Sequence, residues 1–75
     1  MQLKFFGKLA EVTGKPTMEI TSIADTDSLL NKLLQDFPKL KEYNILIAVD
    51  KKIVKQNQQL ESHNEVALLP PFAGG

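Results

Sequence analysis

The chain has 75 residues, with nine Lys against nine Asp plus Glu, no Arg, no Cys and a single His. A domain of this length buries about 60% of its unfolded surface and has little volume to spare for a deep catalytic cavity. The composition excludes disulfides, thiolate zinc sites and a cysteine nucleophile, and a neutral chain without Arg is a poor match for a nucleic-acid face.

Met1, Leu3 and Phe5 alternate with Gln2, Lys4 and Phe6, the period of a half-buried strand. Phe6 is the exception, because it falls on the face that otherwise carries Gln2 and Lys4. Gly7 ends the strand. Lys8 to Lys15 reads as a loop with a short helical turn around Leu9 to Thr13, closed by Pro16. Thr17 to Thr21 alternates again with Met18 and Ile20 inward, so the first two strands are expected to form a hairpin.

Leu30, Leu33, Leu34 and Phe37 stand at i, i+3, i+4 and i+7, with Leu29 beside them. That pattern predicts a helix over 27–37, with Thr26 as N-cap, Asp27 in the first turn and Pro38 as the stop. Lys39 to Asn44 reads as a polar loop. Ile45 to Val49 is a continuous apolar run with branched residues, hence a strand covered on both faces or nearly so. Asp50-Lys51 is a turn, and Lys52 to Val54 a short strand with Val54 inward and Ile53 outward. Leu60 plugs the core below the polar stretch Gln56 to Gln59. Ser62 to Asn64 is a turn in which Asn64 tolerates left-handed dihedrals.

Glu65 to Leu69 is the last strand, with Val66 and Leu68 on one face and Ala67 and Leu69 on the other. Pro70 and Pro71 end its ladder, since neither donates a hydrogen bond. The order β-β-α-β-β-β predicts an α+β roll of residues 1–69, a mixed sheet with one main helix across it. Residues 70–75 read as a flexible tail.

Conventional catalytic sets are missing. His63 stands alone in a polar turn, the carboxylates show no paired acid and base, and Gly7 and Gly14 form no phosphate loop. Lys51-Lys52 reads as a solvated turn rather than an anion site. No apolar run approaches membrane length and no signal-peptide segment opens the chain, so a cytoplasmic protein is expected. Two features remain. Phe6, Ile53 and Leu69 all project from the sheet face opposite the core, which suggests a protein-binding surface. The other is the stretch Pro70-Pro71-Phe72-Ala73-Gly74-Gly75, whose thin Gly-Gly end suits a narrow channel and whose bland alternative is a frayed terminus.

The segment Leu46 to Val54, Leu60 and above all the run Glu65-Val66-Ala67-Leu68-Leu69-Pro70-Pro71-Phe72-Ala73-Gly74-Gly75 closely resemble the small subunit of molybdopterin synthase. Leu3 to Glu11 resembles that family's opening segment. Asp50 replaces a frequent Asn, and His63-Asn64 replaces a frequent Asp-Gly turn. The resemblance implies a sulfur carrier with the ubiquitin-like β-grasp fold. It implies that an adenylyltransferase of the ubiquitin-activating type, using ATP and magnesium, adenylates the Gly75 carboxylate. A persulfide donor then supplies sulfur, giving a Gly75 thiocarboxylate. The tail enters the large synthase subunit, in a heterotetramer, and delivers sulfur to a pterin precursor to build the dithiolene.

By the same resemblance Gly74 and Ala73 keep the tail slim, Phe72 anchors it in a partner pocket, Pro70 and Pro71 stiffen its base, and Phe6, Ile53 and Leu69 face the partners. The carrier binds no cofactor or metal of its own. The alternatives are a related carrier for thiamin synthesis or tRNA thiolation, or a modifier conjugated to lysines.

Overall fold

Inward Leu3 and Phe5 and outward Gln2 make the opening strand, and each later element repeats this division between core and solvent. In the computed structural model, which describes residues 1–71, the elements are β1 (Gln2–Phe5), α1 (Lys8–Thr13), β2 (Thr17–Glu19), α2 (Thr26–Asp36), a 3₁₀ turn (Pro38–Glu42), β3 (Leu46–Val49), β4 (Lys52–Val54) and β5 (Val66–Leu69). They form a five-stranded sheet in the order β2-β1-β5-β3-β4. β1 and β5 run parallel at its middle, and every other pairing is antiparallel. The expected β1–β2 hairpin is present, with Leu3 opposite Met18.

One apolar layer fills the space between the sheet and α2. Leu3, Phe5, Val66 and Leu68 from the central strands meet Leu29 and Leu33 from α2, with Leu9, Leu40 and Leu60 closing the sides. Burying each such side chain contributes about 1.5–3 kcal/mol relative to leaving it in water. Phe5 and Phe37 meet edge to face at 6.4 Å between ring centroids. The α+β roll expected from the element order, a mixed sheet with one main helix across it, is the fold observed.

Several boundaries differ from the sequence reading, each for a local reason. The main helix begins at Thr26, and its N-cap is Asp25 rather than Thr26: the Asp25 carboxylate accepts the Ser28 N–H at 2.8 Å. Thr26 is 2% exposed. Its hydroxyl accepts the Gln58 N–H at 3.0 Å and donates to Asn57 Oδ1 at 3.3 Å, which ties the helix start to the segment before Leu60. The buried stripe is centred on Leu29 and Leu33, with Leu30, Leu34 and Phe37 at its flanks.

The short helical turn expected around Leu9 to Thr13 is present as a six-residue helix, α1, which begins one residue earlier at Lys8 and is closed by Gly14 at φ 78. The expected polar loop after Pro38 is a 3₁₀ turn that buries Leu40 completely. The second strand stops at Glu19, although Ile20 is buried as expected. Asn64 has no left-handed backbone; its side chain makes the turn instead, its Oδ1 accepting the Glu61 N–H at 2.7 Å.

Candidate functional site

The strand registers decide what the outer sheet face looks like. Leu46 lies opposite Leu69, Ala48 opposite both Ala67 and Ile53, and Ala67 beside Lys4. Side chains alternate along strands, so these residues share the face turned away from α2. Phe6 follows Lys4 on the same face and continues the row toward Leu69.

Phe6 is 44% exposed, Ile53 45% and Leu46 37%, while Leu69 is half-buried. The three residues singled out in the sequence are thus on one surface. Leu46 belongs with them and was missed. It sits inside a continuous apolar run, which has no period to mark one side chain as outward. Its register against Leu69 is the signal that finds it. Two alanines form the floor between the larger side chains. Lys4, Phe6, Ala48, Lys51, Ile53, Glu65, Ala67 and Leu69 enclose a hollow of about 270 Å³. Lys4 Nζ and Glu65 Oε2 pair across its rim at 3.4 Å.

β5 is held at both ends. At its start, the Asp50 carboxylate accepts the Glu65 N–H at 2.9 Å and the Asn64 side-chain N–H at 2.8 Å. The Glu65 N–H, with help from Asn64 and the charge of His63, holds the Asp50 carboxyl below the usual Asp range. At its end, the Phe6 N–H donates to Leu68 O at 3.1 Å. Pro70 then passes over Gly7: a Cβ placed on Gly7 would stand 3.3 Å from Pro70 Cγ. Gly7 has φ 56 and ψ −133, a conformation close to glycine-only. Pro70 is half-buried and Pro71 exposed. Phe72, Ala73, Gly74 and Gly75, the rest of the expected site, lie outside the described residues.

Among the described residues, no group of three or more His, Asp or Glu could hold a metal ion, and no helix is long and apolar enough to cross a membrane. A broader depression of about 450 Å³ beside Ile20–Ala24 and Leu60–Ser62 contains none of the expected site residues.

The ThiS family model matches residues 3–75. The chain belongs to the ThiS family. Among curated relatives, the molybdopterin synthase sulfur carrier subunit of Arabidopsis thaliana is 27% identical over 79 residues, covering 100% of this chain and 82% of the relative. Among solved structures, a chain from the protein–protein complex of subunits 1 and 2 of molybdopterin-converting factor from Helicobacter pylori 26695 is 27% identical with a TM-score of 0.70, covering 99% of this chain and 96% of that one. Small archaeal modifier protein 1 from Methanosarcina acetivorans superposes with a TM-score of 0.80 at 21% identity, covering 99% of this chain and 94% of that one. That last likeness speaks for the fold alone.

Proposed function

We propose that this chain is the sulfur carrier subunit of a molybdopterin synthase. One observation carries the reading most: β5 delivers the chain toward Pro70 from within an apolar outer face made by Phe6, Leu46, Ile53 and Leu69. An exposed apolar surface around an exit suits a partner that covers it while taking up the tail. The sulfur carrier names of the curated relatives support the molybdopterin pathway over thiamin synthesis or tRNA thiolation.

The chemistry belongs to the Gly75 carboxylate. A carboxylate is a poor electrophile, so an adenylyltransferase joins it to AMP from ATP, with magnesium, and releases pyrophosphate. A persulfide sulfur on a donor protein attacks the acyl carbon and expels AMP. Cleavage of the resulting S–S bond by a thiol leaves the Gly75 thiocarboxylate. With no cysteine in the chain, the transferred sulfur has no other place to reside.

The large subunit then receives the tail. Six residues from Pro70 to Gly75 reach at most about 20 Å when extended. Pro70 and Pro71 limit the backbone freedom lost on insertion, Phe72 anchors in a partner pocket, and Ala73 and Gly74 keep the approach slim. Phe6, Ile53, Leu46 and Leu69 seal the surface around the entry, in a heterotetramer of two carriers and two large subunits. Deleting Gly75 leaves the fold intact and abolishes sulfur transfer; transfer by the deletion variant would sink the assigned role.

A further inference from the structure

The free edge of β4 is a second surface with its own chemistry. Among the described residues β4 ends the sheet and is paired only with β3. The two strands join through the two-residue turn Asp50-Lys51, whose φ angles are 50 and 71, with Val49 opposite Lys52. In such a hairpin the pair flanking the turn exchanges both backbone bonds, and the next pair exchanges none. The next pair is Ala48 and Ile53. The N–H and C=O of Ile53 therefore point off the sheet, away from β3. A depression of about 480 Å³ runs along this edge, lined by Lys52 to Gln58.

From Lys51 to Leu60 the edge segment itself carries only positive charge, with Asp27, Asp50 and Glu65 on the neighbouring segments. Lys51, Lys52 and Lys55 are exposed, and residues 51–60 contain no Asp or Glu. Among the described residues none of the three lysines makes an ion pair, and of the six lysines without one these are the three that gather along a single strand edge. Edge lysines discourage pairing with neutral or basic strands. The same lysines favour a strand that brings carboxylates. The wall of the depression is fixed, because Asn57 Oδ1 accepts the Asp27 N–H at 2.9 Å and the Gln58 backbone is bonded to Thr26 in both directions.

We propose that the β4 edge docks an acidic, extended segment of a partner protein, which adds to the sheet as a further strand. Its main chain bonds to the N–H and C=O of Ile53, and its carboxylates face Lys51, Lys52 and Lys55. This is recognition by strand addition, with main-chain bonds giving affinity and charge giving selectivity. The assignment stands apart from sulfur transfer and does not need Gly75.

The test is a titration of the ¹⁵N-labelled full chain with a short blocked peptide of alternating Glu and Val, against a matched peptide of Lys and Val. The Glu peptide is expected to shift the Ile53 and Lys55 amides and slow exchange of the Ile53 N–H with solvent, and the Lys peptide to leave them in place. Rising salt weakens the Glu peptide's binding. The double variant Lys52→Glu, Lys55→Glu loses about tenfold in affinity for the Glu peptide and gains for the Lys peptide. Equal responses to both peptides, shifts confined to Phe6 and Leu69, or no response at all overturn the proposal. So do shifts at Ile53 that track protein concentration alone, since the occupant is then a second copy.

Discussion

Gly7 lies beneath Pro70, with the position of a Gly7 Cβ only 3.3 Å from Pro70 Cγ. The contact joins the end of β1 to the base of the tail. It also explains why a glycine stands there, since its φ of 56 and ψ of −133 suit no other residue well. Gly7→Ala is expected to lower stability by about 1–3 kcal/mol and to displace Pro70. Denaturant unfolding reads the first effect, and the chemical shifts of Pro70 and Leu69 the second. Unchanged stability and unchanged shifts would mean that the backbone here is not constrained.

Thr26 joins two distant segments through one hydroxyl. Thr26→Val keeps the shape but leaves the buried-side Gln58 N–H without its acceptor. A loss of about 1–3 kcal/mol follows, with Thr26→Ser much milder. Equal losses for the two variants would assign the effect to packing of the methyl group and not to the hydrogen bond.

Asp50 makes stability depend on pH in a defined direction. The Glu65 N–H and the Asn64 side chain favour its charged form, so its folded pKa lies below the unfolded value of about 4. A group with a depressed folded pKa stabilises the fold above its unfolded pKa. That contribution is present at neutral pH and is lost as pH falls from about 4 through the lower folded value. Asp25, held down by the Ser28 N–H, acts with the same sign. Asp50→Asn should flatten the acid limb of a plot of Tm against pH while moving the neutral plateau less. An unaltered acid limb would contradict the role given to Asp50.

The outer face is open to direct test by charge. Leu46→Asp, Phe6→Asp and Ile53→Asp each place a carboxylate where an apolar side chain is already exposed, so Tm changes little. Each is expected to weaken binding of the large subunit by about tenfold or more, measured by titration calorimetry. Gln35→Asp, on the exposed side of α2, serves as the control and leaves affinity unchanged. Equal affinity for Leu46→Asp and the parent chain would remove Leu46 from the interface.

Much of this was legible in the residues, and the parts that were not have physical causes. Alternation in Met1 to Phe6 and in Glu65 to Leu69 correctly separated Phe6 and Leu69 from the core, because a strand's period leaves little choice of face. Leu46 was hidden, because a run such as Ile45-Leu46-Ile47-Ala48-Val49 carries no alternation and only strand register shows which side chain is uncovered. Leu40 was hidden for the opposite reason. It stands between Lys39 and Lys41, and in a tight 3₁₀ turn neighbouring residues point in divergent directions, so one residue is buried while both lysines remain in water. Asp25 and Thr26 are both good N-cap residues, and the tie was broken by Asn57 and Gln58, more than thirty positions away.

The central claim concerns one atom, the oxygen of the Gly75 carboxylate that sulfur replaces. Intact-mass analysis of the full chain, after incubation with ATP, magnesium, the adenylyltransferase and a persulfide donor, tests it most directly. The account predicts a mass gain equal to exchanging one oxygen for one sulfur, lost on treatment that hydrolyses thiocarboxylates and absent when ATP is withheld. An unchanged mass, or a ladder of lysine-linked adducts in place of the exchange, would contradict it.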